Sequence, residues 1–575
     1  MTHGPHKHGQ APTMTTLQRT IRPGAVVSAG SEGAYRRLVY GPGEPRIVRD
    51  ELAGTRAGAA TGGGLAGAKP GSVPGRRLVP VVNLGHLTDI QLADVQSPGR
   101  FEFFERLRGR PGAGSYVPAW RPQEALAAQA VAAMVAAVNG LPSSPETGAS
   151  VGLCISTGDN LDNAQLNELE WFLALLGGGR VCTQSGGPAY EGTQAPGWQP
   201  SAYWCPEPGP DPFKERFGFP AYPGLLREAL EPFESPGLAM PWLSCFGNHD
   251  GLVLGTALPT PAYEKILSGG HKPADLPAGI DPLEMVEAFT SNPEVLLGGP
   301  AREVVPGAGR TSVGRQQFVE AHLRAGGIPR GHGFDRRNVE DGTAYGVFDV
   351  EAAVPLRVVV LDTANMDGYY EGSIGARQSR WLEEKLSEVH SHHFDRSGRR
   401  VTTGAADRLV LLASHHGLDA MVNQRQDPAG FEQDHPRVTA GELEAMLHRF
   451  PNVVLWLNGH RHHNSIRARP GPAGWRGPTE QPGGFWEVST AAIADWPCQA
   501  RLVEVVMNGE NEVDILCTML DSGAPPGPEE AEGADRLASL HREIASNDPY
   551  WDHVAEGSEE DRNVSLRLPA PFSVG

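Results

Sequence analysis

A layered α/β fold is predicted by three features of this 575-residue chain. Short apolar runs end repeatedly in polar clusters, and segments rich in helix formers separate those runs. Gly and Pro, at 72 and 50 residues, add many loops and long connections. Polar clusters at the carboxyl ends of strands occupy the usual location of sites in open α/β sheets.

The elements follow in chain order. Residues 1–24 are polar, carry His3, His6 and His8, and read as a frayed end. Order signals return in 25–52 with AYRRLVY, whereas 53–75 is Gly/Ala-rich and reads as a flexible linker. Residues 1–75 are thus expected to form an arm and linker ahead of one large domain over 76–520. That domain opens with LVPVVNLGHLTD (78–89), whose Val/Leu content suits a strand emptying into a loop. EALAAQAVAAMVAAVNG (124–140) predicts a helix with Gly140 as its cap. SVGLCISTGD (150–159) repeats the strand-to-cluster step and leads into a helix over 165–178. MPWLSCFGNHD (240–250), RLVLLASHH (408–416) and NVVLWLNGH (452–460) repeat it again. LRVVVLDTA (356–364) makes the same step without His or Asn, and 376–389 sets Trp381, Leu382 and Leu386 at helical spacing.

Two stretches exceed a minimal α/β unit. Residues 179–239, rich in Gly, Pro and aromatics, and residues 251–343 are long enough to serve either as a lid or as outlying structural insertions. Beyond 520 the chain turns acidic and Pro/Gly-rich, and 521–575 reads as a surface appendage with a short helix near 535–546.

The net charge of −19 disfavours nonspecific attraction to nucleic acid or anionic membranes and favours a small substrate. The six cysteines form no CxxC pair, which argues against a zinc-thiolate site; Cys182 and Cys205 are compatible with free thiols or with a pair. No run reaches the roughly 18 apolar residues of a membrane span. No secretory apolar segment follows Arg19 and Arg22, so a cytoplasmic location is expected.

Five motifs carry the chemistry: TDIQ (88–91), GDNLDN (158–163), GNHD (247–250), SHH (414–416) and GHRH (459–462). They gather Asp, Asn and His, the residue types that hold hard-to-borderline divalent metals. Paired metals sharing a carboxylate recur in in-line attack on phosphorus. The ordered set, spanning about 78–520, resembles the calcineurin-like metallophosphoesterase superfamily. GNHD and GHRH are closest in pattern to its bacterial cyclic-nucleotide phosphodiesterase branch, although the insertions are unlike a minimal member.

The resemblance implies an αββα sandwich and two divalent ions drawn from Mn, Fe or Zn. It assigns Asp89, Gln91 and His462 to the first ion, Asp159 to both, and Asn248, His415 and His460 to the second. His249 would face the substrate and stabilise or protonate the leaving oxygen, oriented by Asp250 or by Asp162, with Asn163 positioning the phosphate or a ligand loop. Gln91 departs from the pattern, because the superfamily most often has His there; His86 and Asp94 are nearby substitutes. The implied reaction is hydrolysis of a small phosphodiester or phosphomonoester by a hydroxide bridging the ions. The rival is a non-catalytic scaffold on the same fold, which would be expected to lack several of these residues. FWEVSTAAIADWP (485–497), which carries Trp486, Glu487 and Asp495, reads either as a last strand and a turn beside the site or, as its composition favours, as core packing.

Overall fold

The computed structural model describes residues 14–53, 78–110, 116–141, 143–280, 295, 298–426, 434–472, 483–508 and 511–573. Nearly all of the Gly/Ala-rich stretch 53–75, and the three early histidines, lie outside the described residues.

The chain is mixed α/β. Strands β1 (Ile47–Arg49), β2 (Leu78–Leu87), β3 (Leu153–Ser156) and β4 (Trp242–Ser244) precede β5 (Gly346–Val350), β6 (Leu356–Val360), β7 (Leu409–Ala413) and β8 (Val453–Asn458). They are followed by β9 (Ser465–Arg469), β10 (Phe485–Ser489), β11 (Gln499–Asn508), β12 (Glu512–Asp521) and β13 (Val564–Pro569). One mixed sheet has the order β1-β13-β12-β11-β2-β3-β4 and the other β5-β6-β7-β8-β10-β9. In the first, β2, β3 and β4 run parallel; in the second, β6, β7, β8 and β10 do. Every strand that ends in a predicted motif belongs to one of these two parallel groups, so the motifs emerge at strand ends that point the same way within each sheet.

Alternation along the second sheet divides its side chains between two cores. Val358, Val360, Leu411, Ala413, Leu455 and Leu457 join Leu84, Ile155, Leu243, Val503 and Ile515 of the first sheet in one main core. Their neighbours Val359, Val410, Leu412 and Trp456 face the opposite way. There they pack on Leu382 and Leu386 of helix Ala376–Ser387 and on Leu443 and Leu447 of helix Ala440–Leu447. Helices Ala127–Asn139 and Leu166–Gly177 bring Val131, Val135, Leu169 and Phe172 to the main core. Helices Ala127–Asn139, Leu166–Gly177 and Ala376–Ser387 therefore stand where their sequence patterns put them.

The ends of the chain differ from the expected arm and appendage. Arg19–Ala29 and Ala34–Pro42 form an antiparallel hairpin, and β1 pairs with β13. Helix Gly533–Ser546 packs on helix Ala127–Asn139, and β13 extends the first sheet beside β12. The physical reason is local: VSLRLP alternates apolar with polar residues and pairs with β12 in register, which the acidic run before it conceals. Aromatics of 179–239 are also structural. Trp198, Tyr203, Trp204, Phe213 and Phe219 pack with Tyr35 of the hairpin and Leu537, Leu540 and Ile544 of the last helix. All six cysteines are free thiols. Among the described residues no helix is long and apolar enough to cross a membrane.

His322 shows how this core depends on pH. It lies among Phe172, Trp242, Phe318 and Phe334, and its Nδ1 is 2.8 Å from the Phe318 carbonyl. Burial pushes the imidazole down to about 3, although the Phe318 carbonyl works the other way. In the unfolded chain the same group takes up a proton near pH 6.5. A folded value below the unfolded one gives stability that is complete above pH 6.5 and lost as pH falls toward 3. Between pH 7.5 and pH 5, His322 alone is expected to cost about 2 kcal/mol. Urea unfolding of His322→Leu should show an acid loss smaller by that amount; equal losses in variant and parent would contradict this assignment.

Candidate metal centre

The five motifs meet. Asp89 and Gln91 follow β2, Asp159 follows β3, and Asn248 and His249 follow β4. His415 follows β7, and His460 and His462 follow β8. All of these side chains are buried, His460's included at 6% exposed.

Backbone geometry makes the meeting achievable. Asp89, Gln91, Asp159, His460 and His462 all adopt left-handed φ values, between 46° and 68°. Non-glycine residues rarely do so, and such strain gathers at functional sites because the surroundings must enforce it. It also resolves the i, i+2 pair His460 and His462: two left-handed residues turn the chain so that the imidazoles reach different partners. Glycines let the loops close. A Cβ on Gly247 would lie 2.2 Å from Asp159 Oδ1, and one on Gly459 would lie 1.9 Å from Thr88 Oγ1.

The donors fall into two lobes that share Asp159. In one, His415 Nε2 is 2.9 Å from Asn248 Oδ1, 3.2 Å from Asp159 Oδ2 and 3.3 Å from His460 Nδ1. His460 Nδ1 is itself 3.1 Å from Asn248 Oδ1. In the other, His462 Nε2 is 3.1 Å from Asp89 Oδ1 and 3.2 Å from the Gln91 amide, which is 3.3 Å from Asp159 Oδ2.

Outer partners fix which atom of each group faces inward. His415 Nδ1 is 3.0 Å from the Thr157 carbonyl, to which it donates, leaving Nε2 for the lobe. His462 Nδ1 is 2.7 Å from Asp495 Oδ2. His460 turns Nε2 toward Glu371, at 3.6 Å, and so presents Nδ1. The Asn248 amide donates to the Leu254 carbonyl at 2.9 Å, which aims its oxygen inward. That carbonyl comes from the start of the 251–343 insertion, which therefore helps to build the site.

Carboxylate oxygens, the Asn248 amide oxygen and imidazole nitrogens thus converge, with the Gln91 Nε2 amide donating to Asp159 Oδ2 among them. This donor set matches the preference of borderline divalent cations, and a positive charge is needed to hold it together. Burial opposes ionisation of Asp89 and Asp159, yet His462 beside the first and His415 beside the second hold both carboxyls well below the usual range. Burial likewise opposes the imidazolium forms, but Asp159 pushes His415 up to about 9, and Asp89 with Asp495 does the same for His462. Protons here satisfy a charge demand that two cations in the lobes would also meet.

The remaining predicted residues separate clearly. His249 Nδ1 is 3.3 Å from Asp162 Oδ1, and its Nε2 is 3.8 Å from Asp159 Oδ2. Asp162, not Asp250, stands behind His249. Asp250 turns away because adjacent side chains diverge. Its carboxylate accepts from the backbone of Gly247, Asn160 and Leu161 and ties the GNHD loop to the GDNLDN loop. Burial, followed by Asp159, pushes the Asp250 carboxyl up to about 7. Asn163 is also structural here, accepting from Val253 N–H at 2.8 Å.

His416 has both ring nitrogens engaged, with Thr363 Oγ1 at 2.8 Å and the Tyr370 carbonyl at 2.9 Å. It braces His415 and offers no free lone pair. Neither substitute for Gln91 reaches the lobes: His86 bonds Thr157 and Thr490, and Asp94 pairs with Arg310. Arg461 pairs with Glu371 at 3.1 Å, beside His460.

Glu371 and the arginines behind the site have no expectation from sequence, whereas Asp495 lies in the segment 485–497 that sequence leaves open as a turn beside the site or as core. Asp495 has one visible signal, a lone acid in the apolar run STAAIADWP.

Gln91 carries a specific prediction. Its Oε1 is buried with no hydrogen-bond partner among the described residues. An amide oxygen is a weaker ligand than an imidazole. Gln91→His is therefore expected to tighten the weaker of two Mn²⁺ affinities by roughly tenfold, read by electron paramagnetic resonance titration. Unchanged affinity would remove Gln91 from the ligand set.

No protein-family model matches the chain, and no curated protein matches it.

Proposed function

We propose that this chain is a metal-dependent phosphoesterase of the calcineurin-like kind, hydrolysing a small phosphodiester or phosphomonoester. The observation that supports this most is the convergence of His415 Nε2, His460 Nδ1, Asn248 Oδ1 and Asp159 Oδ2, with the other nitrogen of each imidazole turned outward. The layering of two sheets around one core, with helices on the far face of the second sheet, is in keeping with an αββα sandwich.

Asp89, Gln91, Asp159 and His462 would hold one ion, and Asp159, Asn248, His415 and His460 the other, with Mn, Fe and Zn all suited to these donors. When bound, such a pair supplies Lewis-acid stabilisation of phosphoryl charge and a nucleophile at neutral pH. The protein's own part is positional and protonic. Asp162 accepts from His249 Nδ1, so the imidazole keeps Nε2 directed at the Asp159 side of the site. There it donates a proton to the departing oxygen. No Ser or Cys nucleophile enters this scheme, so no phosphoenzyme forms.

The test is a paired assay of an aryl phosphate monoester and a diester, each with Mn²⁺, Zn²⁺ and Fe²⁺, with Asn248→Ala as control. Metal-dependent release of the aryl alcohol that fails in Asn248→Ala supports the reading. Bound metal without hydrolysis of either ester favours the scaffold alternative.

A further inference from the structure

The carboxylates behind two of the site's imidazoles are joined to each other through a buried ion network. Asp162, behind His249, accepts from Arg100 Nε at 3.0 Å. Asp495, behind His462, accepts from Arg121 Nε at 2.7 Å. Glu124 accepts from Arg100 Nη1 and Nη2 at 2.7 and 2.9 Å and from the Arg121 backbone N–H at 3.0 Å. Arg121 Nη1 also lies 3.9 Å from Asp162 Oδ1. None of these five residues is more than 6% exposed.

The placement is informative. Arg100, Arg121 and Glu124 all come from the connection between β2 and the first long helix, while Asp495 lies 374 residues beyond Arg121. An ion cluster serving stability alone could sit anywhere in the core. This one ends on the two carboxylates that each hold one nitrogen of a site imidazole. Arg100 is bidentate toward Glu124, a geometry that fixes orientation as well as distance.

We propose that Arg121, Glu124 and Arg100 form a buried clamp that positions His462 and His249. Arg121 acts through Asp495 and Arg100 through Asp162, and Glu124 ties the two arginines together. All three are positioning residues, since none touches the reacting atoms. The His249 arm rests on the phosphoesterase reading; the His462 arm concerns metal binding and stands apart from turnover.

The experiment uses the full-length protein. Mn²⁺ affinity is measured by electron paramagnetic resonance titration, and kcat and KM with an ester of a poor leaving group. Arg121→Gln is expected to weaken Mn²⁺ binding by about 10–100-fold. In an Asp495→Asn background the same substitution should cost no more than about threefold, because the carboxylate charge through which Arg121 acts on His462 is already gone. Arg100→Gln should leave Mn²⁺ affinity within about threefold and lower kcat with KM unchanged, and this loss should vanish in an Asp162→Asn background. Should Arg121→Gln not fold, Arg121→Lys carries the same cycle with Asp495→Asn. Equal Mn²⁺ costs with and without Asp495 would overturn the clamp, as would a lower thermal midpoint with Mn²⁺ affinity intact. Absence of phosphoester turnover in the parent would defeat the proposed reaction, and the Mn²⁺ cycle would then decide the clamp alone.

Discussion

Asp159→Ala is expected to abolish phosphoester hydrolysis, with a loss of roughly 10³-fold or more, and to remove at least one of two bound ions. Asp159 is the one group common to both lobes, through contacts to His415 and to Gln91. Its Oδ1 also accepts from the His249 backbone N–H at 2.8 Å, so the substitution frees the GNHD loop as well. Asp159→Asn separates these effects. It keeps the size of the side chain and an acceptor oxygen but removes the charge, and it should lose metal while leaving the fold intact. Metal content and turnover measured together check this. Retention of both ions in Asp159→Ala would contradict the shared role.

His249→Ala is expected to lower kcat by about 10²–10⁴-fold while both ions stay bound. The expectation follows from geometry: Asp162 holds His249 through Nδ1 at 3.3 Å, which turns Nε2 toward the Asp159 side of the site at 3.8 Å. Proton donation matters most when the departing oxygen is basic. The loss should therefore be large for an alkyl ester and small for a nitrophenyl ester, whose leaving group departs without help. Equal losses on the two substrates would assign His249 to binding instead. Asp250→Asn should leave that ratio unchanged, since Asp250 serves the loop backbone.

The strand ends were legible because their pattern is local. Each strand of three to ten residues closes on a motif of fewer than seven, and burial of the strand forces the motif to the sheet edge. Helices over 124–140, 165–178 and 376–389 were legible for the same reason, since propensity and spacing act over a few turns. Groups that act across the fold were not. Asp495 meets His462 across 33 residues and Arg121 across 374, and no periodicity links them. Sequence left Asp250 and Asp162 both open behind His249, because adjacency favours the first while only the fold brings Asp162 to His249 from another loop. The C-terminal strand was hidden because its six residues follow an acidic stretch, and only pairing with β12 gives them a place. The left-handed conformation of Asp89, Gln91, Asp159, His460 and His462 was not legible either, since Asp and His are enriched in that region yet seldom adopt it, and tertiary contacts decide where it occurs.

A two-ion centre is the claim on which the rest depends, and metal counting tests it most directly. The full-length protein is reconstituted with excess Mn²⁺, desalted, and examined by elemental analysis and anomalous diffraction. Two ions per chain are expected, held by donor sets that both include the Asp159 carboxylate. A chain that retains no Mn²⁺, or holds it away from Asp159, would contradict that claim.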